Sequence, residues 1–411
     1  MFILIENGEL YAPERKGQTS LLIANDRIER IGDIDRRGLD ALGVEYAVID
    51  AGGCVVVPGF VDVHEHLLGG SGEGSLALQT PMLFPREIVR AGITTVVGTL
   101  GVDTTMKTMS GLLARVKALH EEGMTACMWS GGYNVPPTTV TGSIREDLLF
   151  VDECIGAGEI AIPDERGLNQ STQELAKLVR DVHVGGLLTG KAGLTHFHVG
   201  EEDSRLEPLR ELIDEFNVKP EWLYPTHVQR NEKLLREAID LAKRGSHVDF
   251  DVVNKDLAKW VRFYMDNDGP MECLTVSSDS DSSTPDIFFD QLRGLVVNHR
   301  IGLETMLRLV TSTPAKLLKL VRKGKLAEGA DADVVVLDAD SLDIHEVIAR
   351  GNRMVSNGAL TFRECYLANS SRAVSIIGDK APEIAFERMN RELAEIDEIT
   401  RVAGLPGTGS S

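Results

Sequence analysis

The stretch Val57-Pro58-Gly59-Phe60-Val61-Asp62-Val63-His64-Glu65-His66 decides how the rest of the chain is read. An apolar run, broken only by Asp62, leads straight into two histidines. In an extended strand, residues two apart point to one side, so His64 and His66 converge on one point. Taken alone, the pair fits two histidines in a turn as well as it fits a metal site. Working outward, apolar runs predict strands at Phe60–His64, Thr94–Thr99, Thr125–Ser130, Glu159–Ile162, Leu194–His198, Leu223–His227, His247–Val252 and Leu274–Ser278. Helical periodicity fills the gaps at Met106–Glu121, Ser171–Val182, Arg205–Glu215 and Asn231–Arg244. Alternating strand and helix argues for parallel βαβ units. Eight such units over about 250 residues make an α/β fold of the (β/α)8, TIM-like barrel type, whose active sites lie at the C-terminal strand ends.

The strand ends carry the chemistry. His198 closes the fifth run, His227 the sixth and Asp279 the eighth, while Glu159 opens the fourth. Imidazole and carboxylate groups delivered to one rim, with room for water, suit a catalytic Zn2+ or a pair of divalent ions. His120 and His183 fall in helical segments and read as surface groups. His299 and His345 fall outside the strands, and His247 begins a strand, the wrong end for a ligand. His196 shares a face with His198 one layer deeper and reads as a hydrogen-bonded interior residue.

Composition bounds the rest. The 411 residues carry 43 Lys and Arg against 63 Asp and Glu, a net charge of −20. That balance argues against a nucleic-acid partner. No run has the length of a membrane span, and Met1–Glu6 reads as a strand, lacking the basic flank of a signal peptide. Cys54, Cys127, Cys154, Cys273 and Cys365 form no CxxC pair, which predicts free thiols, packed inside, and a cytoplasmic protein. Short strands are expected at Met1–Glu6, Ser20–Ile23, Arg27–Ile31 and Tyr46–Asp50, and again at Asp333–Leu337, Ile344–Ala349 and Arg353–Val355. They predict a small β-sandwich domain made from both chain ends, residues 1–55 plus 325–375, around a catalytic barrel at 56–324. Residues 376–411 are expected to hold a solvated helix and a disordered tail.

The His64-x-His66 stretch, Thr313-Pro314-Ala315 and Gly329-Ala330-Asp331-Ala332-Asp333-Val334 resemble the amidohydrolase superfamily. Within it, the chain is most similar to the isoaspartyl (β-aspartyl) dipeptidases. The resemblance is carried by Gly69-Gly70-Ser71-Gly72-Glu73, Gly132-Tyr133-Asn134-Val135-Pro136, Thr141-Gly142-Ser143 and Asp164-Glu165-Arg166. It continues in Phe197-His198-Val199-Gly200, Pro225-Thr226-His227-Val228-Gln229-Arg230-Asn231 and Ser277-Ser278-Asp279 with Ser283. It implies a binuclear zinc site, with His64, His66 and Asp279 on the more buried ion and His198 and His227 on the other. It also implies a metal-bridging hydroxide as nucleophile, Asp279 as general base and acid, and Tyr133 as donor to the oxyanion. Glu73 would meet the substrate ammonium, Arg166 and Arg230 its carboxylates, and Ser283 and Gly72 would line the substrate. A homo-oligomer is implied as well.

Two departures stand out. The family bridges its metals with a carboxylated lysine, but no lysine occurs between Lys117 and Lys177, and counting back from Arg166 puts Glu159 in its place. Glu159 is a comparable oxygen bridge, yet shorter by roughly 3–4 Å at standard bond lengths, so strand four has to come inward. Gly156 and Gly158 permit that. The alternative is a surface Glu159 beside a single ion. Val102 stands where a threonine is expected near the substrate. The resulting expectation is a metal-dependent hydrolase of isoaspartyl dipeptides. Its rivals are an enzyme for another N-acyl amino acid or cyclic amide, and a catalytically silent barrel acting as an assembly subunit.

Overall fold

A computed structural model of the chain describes residues 2–41, 43–281, 283–368 and 370. Eight strands form the barrel: β1 Phe60–Glu65, β2 Ile93–Gly98, β3 Thr125–Ser130, β4 Cys154–Ile162, β5 Leu194–Val199, β6 Leu223–Thr226, β7 Val248–Phe250 and β8 Leu274–Val276. The first six pair in sequence order as a parallel curled sheet, and β7 pairs with β8. The chain just beyond β8 returns to β1, where Asp279 N–H donates to His64 C=O at 3.0 Å and His66 N–H to Ser280 C=O at 3.1 Å. β4 begins five residues before the predicted strand, so Glu159 lies inside it, not at its start.

Side-chain alternation sorts the strand residues into two layers. Phe60, Val96, Met128 and Phe197 pack outward in the core shared with the helices. Val61, Val63, Val97, Cys127, Trp129, Ile155 and Tyr224 form a separate inner cluster, plugged by Leu317 and Leu318. The helices begin where side-chain caps stop the extended chain. Ser171 caps Thr172–Thr189 with Glu174 completing a capping box, and Asn231 caps Glu232–Lys243.

Both chain ends build the flanking sheets. Arg27–Gly32, Ser20–Ala24, Phe2–Glu6 and Tyr46–Asp50 form one, in that order. In the other, Cys54–Pro58 pairs antiparallel with Val334–Asp338. Ile3, Ile5, Leu21 and Ile23 share a core with Val56, Val334, Val336 and Ile348. Strand Cys54–Pro58 runs across residue 55 into β1 through Gly59, and Met1–Glu364 is one compact unit with the barrel included. Cys365–Ala368 forms a short helix within the second unit, and the helix and tail expected beyond residue 376 lie outside the described residues. Cys54, Cys127 and Cys154 are free thiols packed inside as expected, but Cys273 is half-buried and Cys365 exposed. Among the described residues no helix is long and apolar enough to cross a membrane.

Candidate metal centre and active site

The HxH strand end is pinned before its rings are placed. Buried Asp62 accepts from the N–H groups of His64 (3.1 Å) and Ser278 (3.2 Å), tying the end of β1 to the segment after β8. Burial pushes this carboxyl up to about 7. Asp279 then enters the rim from that segment. Its Oδ1 lies 3.3 Å from His64 Nε2 and 3.2 Å from His66 Nε2. Asp279 and His227 both hold positive φ, 47° and 63°. Strain of this kind, about 1–3 kcal/mol per residue, persists where surrounding structure demands the side-chain placement.

Glu159 reaches the same point through a distorted strand. The β4–β5 register slips between Ala157 and Ile160, the signature of a bulge that inserts one residue and re-aims a side chain. Gly158 makes the bulge feasible, because a Cβ there would stand 2.7 Å from the Cβ of His196 and 2.8 Å from its carbonyl. Glu159 Oε2 lies 3.0 Å from His198 Nδ1 and 3.5 Å from both His64 Nε2 and His227 Nε2. Its Oε1 is 3.9 Å from His66 Nε2. On the far side, Gly101 faces His66, where a Cβ would meet the ring at 2.7 Å. Val102 follows it, half-buried.

The predicted ligands are therefore brought together, with one difference in grouping. Three sets offer metal-sized clusters: His64, His66 and Asp279; His64, Glu159 and His227; and His227, Asp251 and Asp279. His198 belongs to none of them. Its Nδ1 faces Glu159 and the Tyr133 hydroxyl (2.9 Å), while its Nε2 faces Asp164 (3.1 Å) and Arg166 (2.9 Å).

Electrostatics mark the centre as short of cations. Burial opposes charge on His66, but Asp279 and Glu159 outweigh it and carry the imidazole up to about 9. On His227, burial is outweighed by Asp279, Asp251 and Glu159, and the ring rises to about 10. His64, with burial dominant, is driven well below its ordinary value. Burial raises the Asp279 carboxyl, against the pull of His227 and His66. His64 Nε2 and Glu159 Oε1 are buried and lack any hydrogen-bond partner among the described residues. Imidazole nitrogens and carboxylate oxygens converging on such orphaned acceptors fit a divalent cation, which would displace the protons held by the rings.

The substrate side is occupied by internal pairs. Tyr133 is held by its N–H on Gly101 C=O (3.3 Å) and its C=O on Ala161 N–H (3.0 Å). Burial pushes its phenol well above the usual range, keeping the hydroxyl a donor. Arg166 forks onto Asp164 (2.8 Å) and reaches Glu73 at 2.9 Å. Arg230 donates to Val199 C=O at 2.9 Å, with Glu201 at 3.3 Å. Glu73 thus faces an arginine here and is largely exposed. Gly72, at φ 71°, sits so tightly on Gln79 N (2.4 Å from a Cβ) that a side chain is excluded. Ser283 is half-buried just beyond Asp279.

Sequence reasoning passed over Asp251 and gave Asp164 no role. Asp251 Oδ2 lies 2.8 Å from His227 Nδ1 and accepts from Gln229 Nε2 at 2.7 Å. This orients the ring and leaves Nε2 toward Glu159. The available signal was Asp249-Phe250-Asp251, an alternation like that of the HxH strand, at one of the strand ends left without a ligand candidate.

Comparison with known proteins gives the family. The amidohydrolase family pattern matches residues 55–365, and the chain belongs to that family, whose members generally use a divalent metal. A crystal structure of β-aspartyl dipeptidase from Fervidobacterium islandicum superposes with a TM-score of 0.84 at 33% identity, covering 89% of this chain and 100% of that one. A second structure from that organism, in complex with a β-Asp-Leu dipeptide, gives 0.82 at 31% identity, over 89% of this chain and 100% of that one. An adenine deaminase from Listeria welshimeri is 24% identical over 370 residues, covering 83% of this chain, which spans only 58% of that protein's length.

Proposed function

We propose that the protein is a metal-dependent isoaspartyl dipeptidase. One observation carries the reading: His64 Nε2 and Glu159 Oε1, buried and without a hydrogen-bond partner among the described residues, sit in a group of four imidazoles and Asp279 beside two arginines. His64, His66, Glu159, His198, His227 and Asp279 would hold two divalent ions, zinc by donor type, with Glu159 as the bridge. Bound there, the ions supply Lewis-acid polarisation of the scissile carbonyl and a water nucleophilic at neutral pH. Asp279 takes the proton of the attacking water and delivers it to the leaving nitrogen. Tyr133, kept protonated by burial, donates to the oxyanion. Arg166 and Arg230 receive substrate carboxylates and Glu73 its ammonium, with Ser283 and Gly72 completing the wall. One ammonium and two carboxylates on the dipeptide match one acid and two arginines. The dipeptide bound in the Fervidobacterium structure supports this class.

The adenine deaminase relationship favours a second reading, hydrolytic removal of an amino group from a purine. The same chemistry would act on a neutral ring that offers Glu73, Arg166 and Arg230 no charged group beyond their internal pairs. Purified protein offered β-Asp-Leu, adenine, N-acyl amino acids and hydantoins separates the cases. The proposal expects free aspartate from β-Asp-Leu. Ammonia from adenine with no aspartate release would replace it with the second reading, and inertness toward the whole panel despite bound metal would support the silent barrel.

A further inference from the structure

Below the rim, inside the barrel, the His196 ring lies between Trp129 and Tyr224, with ring centroids at 5.1 and 4.8 Å. It is fully buried. Trp129 Nε1–H donates to Val63 C=O at 2.9 Å and fixes one side of the stack to β1. Tyr224 is anchored by its hydroxyl to Thr275 (2.6 Å) and Asp249 (3.2 Å). His196 Nδ1 lies 3.0 Å from Tyr224 C=O, and its Nε2 lies 3.0 Å from His64 Nδ1.

Hydrogen-bond polarity now leaves one consistent arrangement. A carbonyl only accepts, so His196 Nδ1 carries the hydrogen. Among the described residues no acid oxygen is hydrogen-bonded to this ring, so with its hydrogen on Nδ1 its Nε2 meets His64 Nδ1 as the acceptor. The hydrogen between the two rings therefore belongs to His64 Nδ1. His64 Nε2 is left with a bare lone pair, facing Glu159 Oε2 at 3.5 Å and Asp279 Oδ1 at 3.3 Å, neither of which donates as a carboxylate.

We propose that His196 is a positioning residue. It relays the fixed polarity of the Tyr224 carbonyl to His64, locking His64 in the tautomer whose Nε2 binds a cation. His227 receives the same service from a carboxylate, Asp251. At His64 the service comes from a neutral ring, so the orientation is set without adding negative charge to a site already rich in acid. Gly158 belongs to the device, since any side chain there would strike His196. The inference rests on His64 being a metal ligand.

The test uses the full-length protein labelled with 15N-histidine. Multiple-bond 15N–1H spectra of the metal-free wild type, assigned with single histidine variants, should show both His196 and His64 protonated at Nδ1. Either ring found as the Nε2–H tautomer, or His196 found doubly protonated, overturns the proposal. Zinc affinity, read by competition with a chromophoric chelator, gives the second readout. His196→Gln places a carbonyl oxygen near the Nε2 position and should stay within about threefold of wild type, while His196→Asn lacks that acceptor and should lose about 10–100-fold. Equal affinity in both variants overturns the relay. If His196→Asn fails to fold, the wild-type spectrum still decides. If the wild type takes up no zinc while both tautomers are as stated, the hydrogen bonds are as drawn but position no ligand, and the inference falls with the metal reading.

Discussion

Two buried polar clusters lie toward opposite ends of the barrel strands, and they are completed to different degrees. At the start of β3, Lys323 Nζ donates to Thr125 Oγ1 at 2.6 Å and Asp333 at 2.5 Å, with Asp331 at 2.9 Å. Arg322 (2.9 Å) and Arg27 also bind Asp331, and Asp333 accepts from Arg350 N–H at 2.8 Å. Both carboxylates are met by cations or donors. At the C-terminal rim, acids and imidazoles face each other, and His64 Nε2 and Glu159 Oε1 have no hydrogen-bond partner among the described residues. A satisfied buried network specifies and rigidifies structure. An unsatisfied one calls for an explanation, here a ligand that is not protein.

Breaking the rim should abolish function and spare the fold. Asp279→Asn is expected to lower kcat/KM on β-Asp-Leu by about 10^2–10^4-fold, the range for a lost acid–base group. Compared as metal-free proteins, variant and wild type should have similar melting temperatures, so that the loss is one of chemistry and not of fold. Steady-state kinetics with thermal unfolding checks both. Breaking the lower cluster should do the reverse. Lys323→Met leaves buried Asp333 without its cation, while Asp331 keeps Arg27 and Arg322, and is expected to lose about 3–5 kcal/mol in urea unfolding. Its kcat per folded molecule should stay within about twofold, as for a site distant from the chemistry.

How much of this contrast was legible in the sequence follows from how local each feature is. The barrel and the ligand positions are written in short windows: alternation in Phe60–His66, and histidine or aspartate closing β5, β6 and β8. The place of Glu159 inside β4 was not, because a bulge depends on the clash between Gly158 and the neighbouring strand. Asp251 was lost because β7 is three residues long, and the alternation of Asp249 and Asp251 is too short to separate a rim acid from a loop acid. The Arg166–Glu73 pair joins residues 93 positions apart, and no local pattern carries it.

The finer predictions sharpen the comparison. Glu159→Gln keeps the shape but loses the bridging charge. It should retain about one ion at most and lose about 10^2-fold in activity, measured by metal analysis beside kinetics. Added bicarbonate should neither restore the variant nor be needed to reconstitute the wild type, since no carbamate has to form. Recovery of activity only with bicarbonate would remove Glu159 from the bridge. The smallest effect is on acid stability. Burial raises the Asp331 carboxyl, but Lys323 and Arg322 outweigh it and hold it below its ordinary value. A depressed folded-state value contributes stability above the unfolded value of about 3.9, lost as pH falls through the folded one. Urea midpoints should therefore decline more below about pH 4 in the wild type than in Lys323→Met.

The central claim is that the rim is a cation site. Elemental analysis of the full chain, purified without chelator and then equilibrated with zinc and desalted, tests it most directly. The account predicts about two divalent ions per chain, falling in Asp279→Asn and Glu159→Gln and unchanged in Lys323→Met. A wild-type chain that retains no ion after that treatment would contradict it.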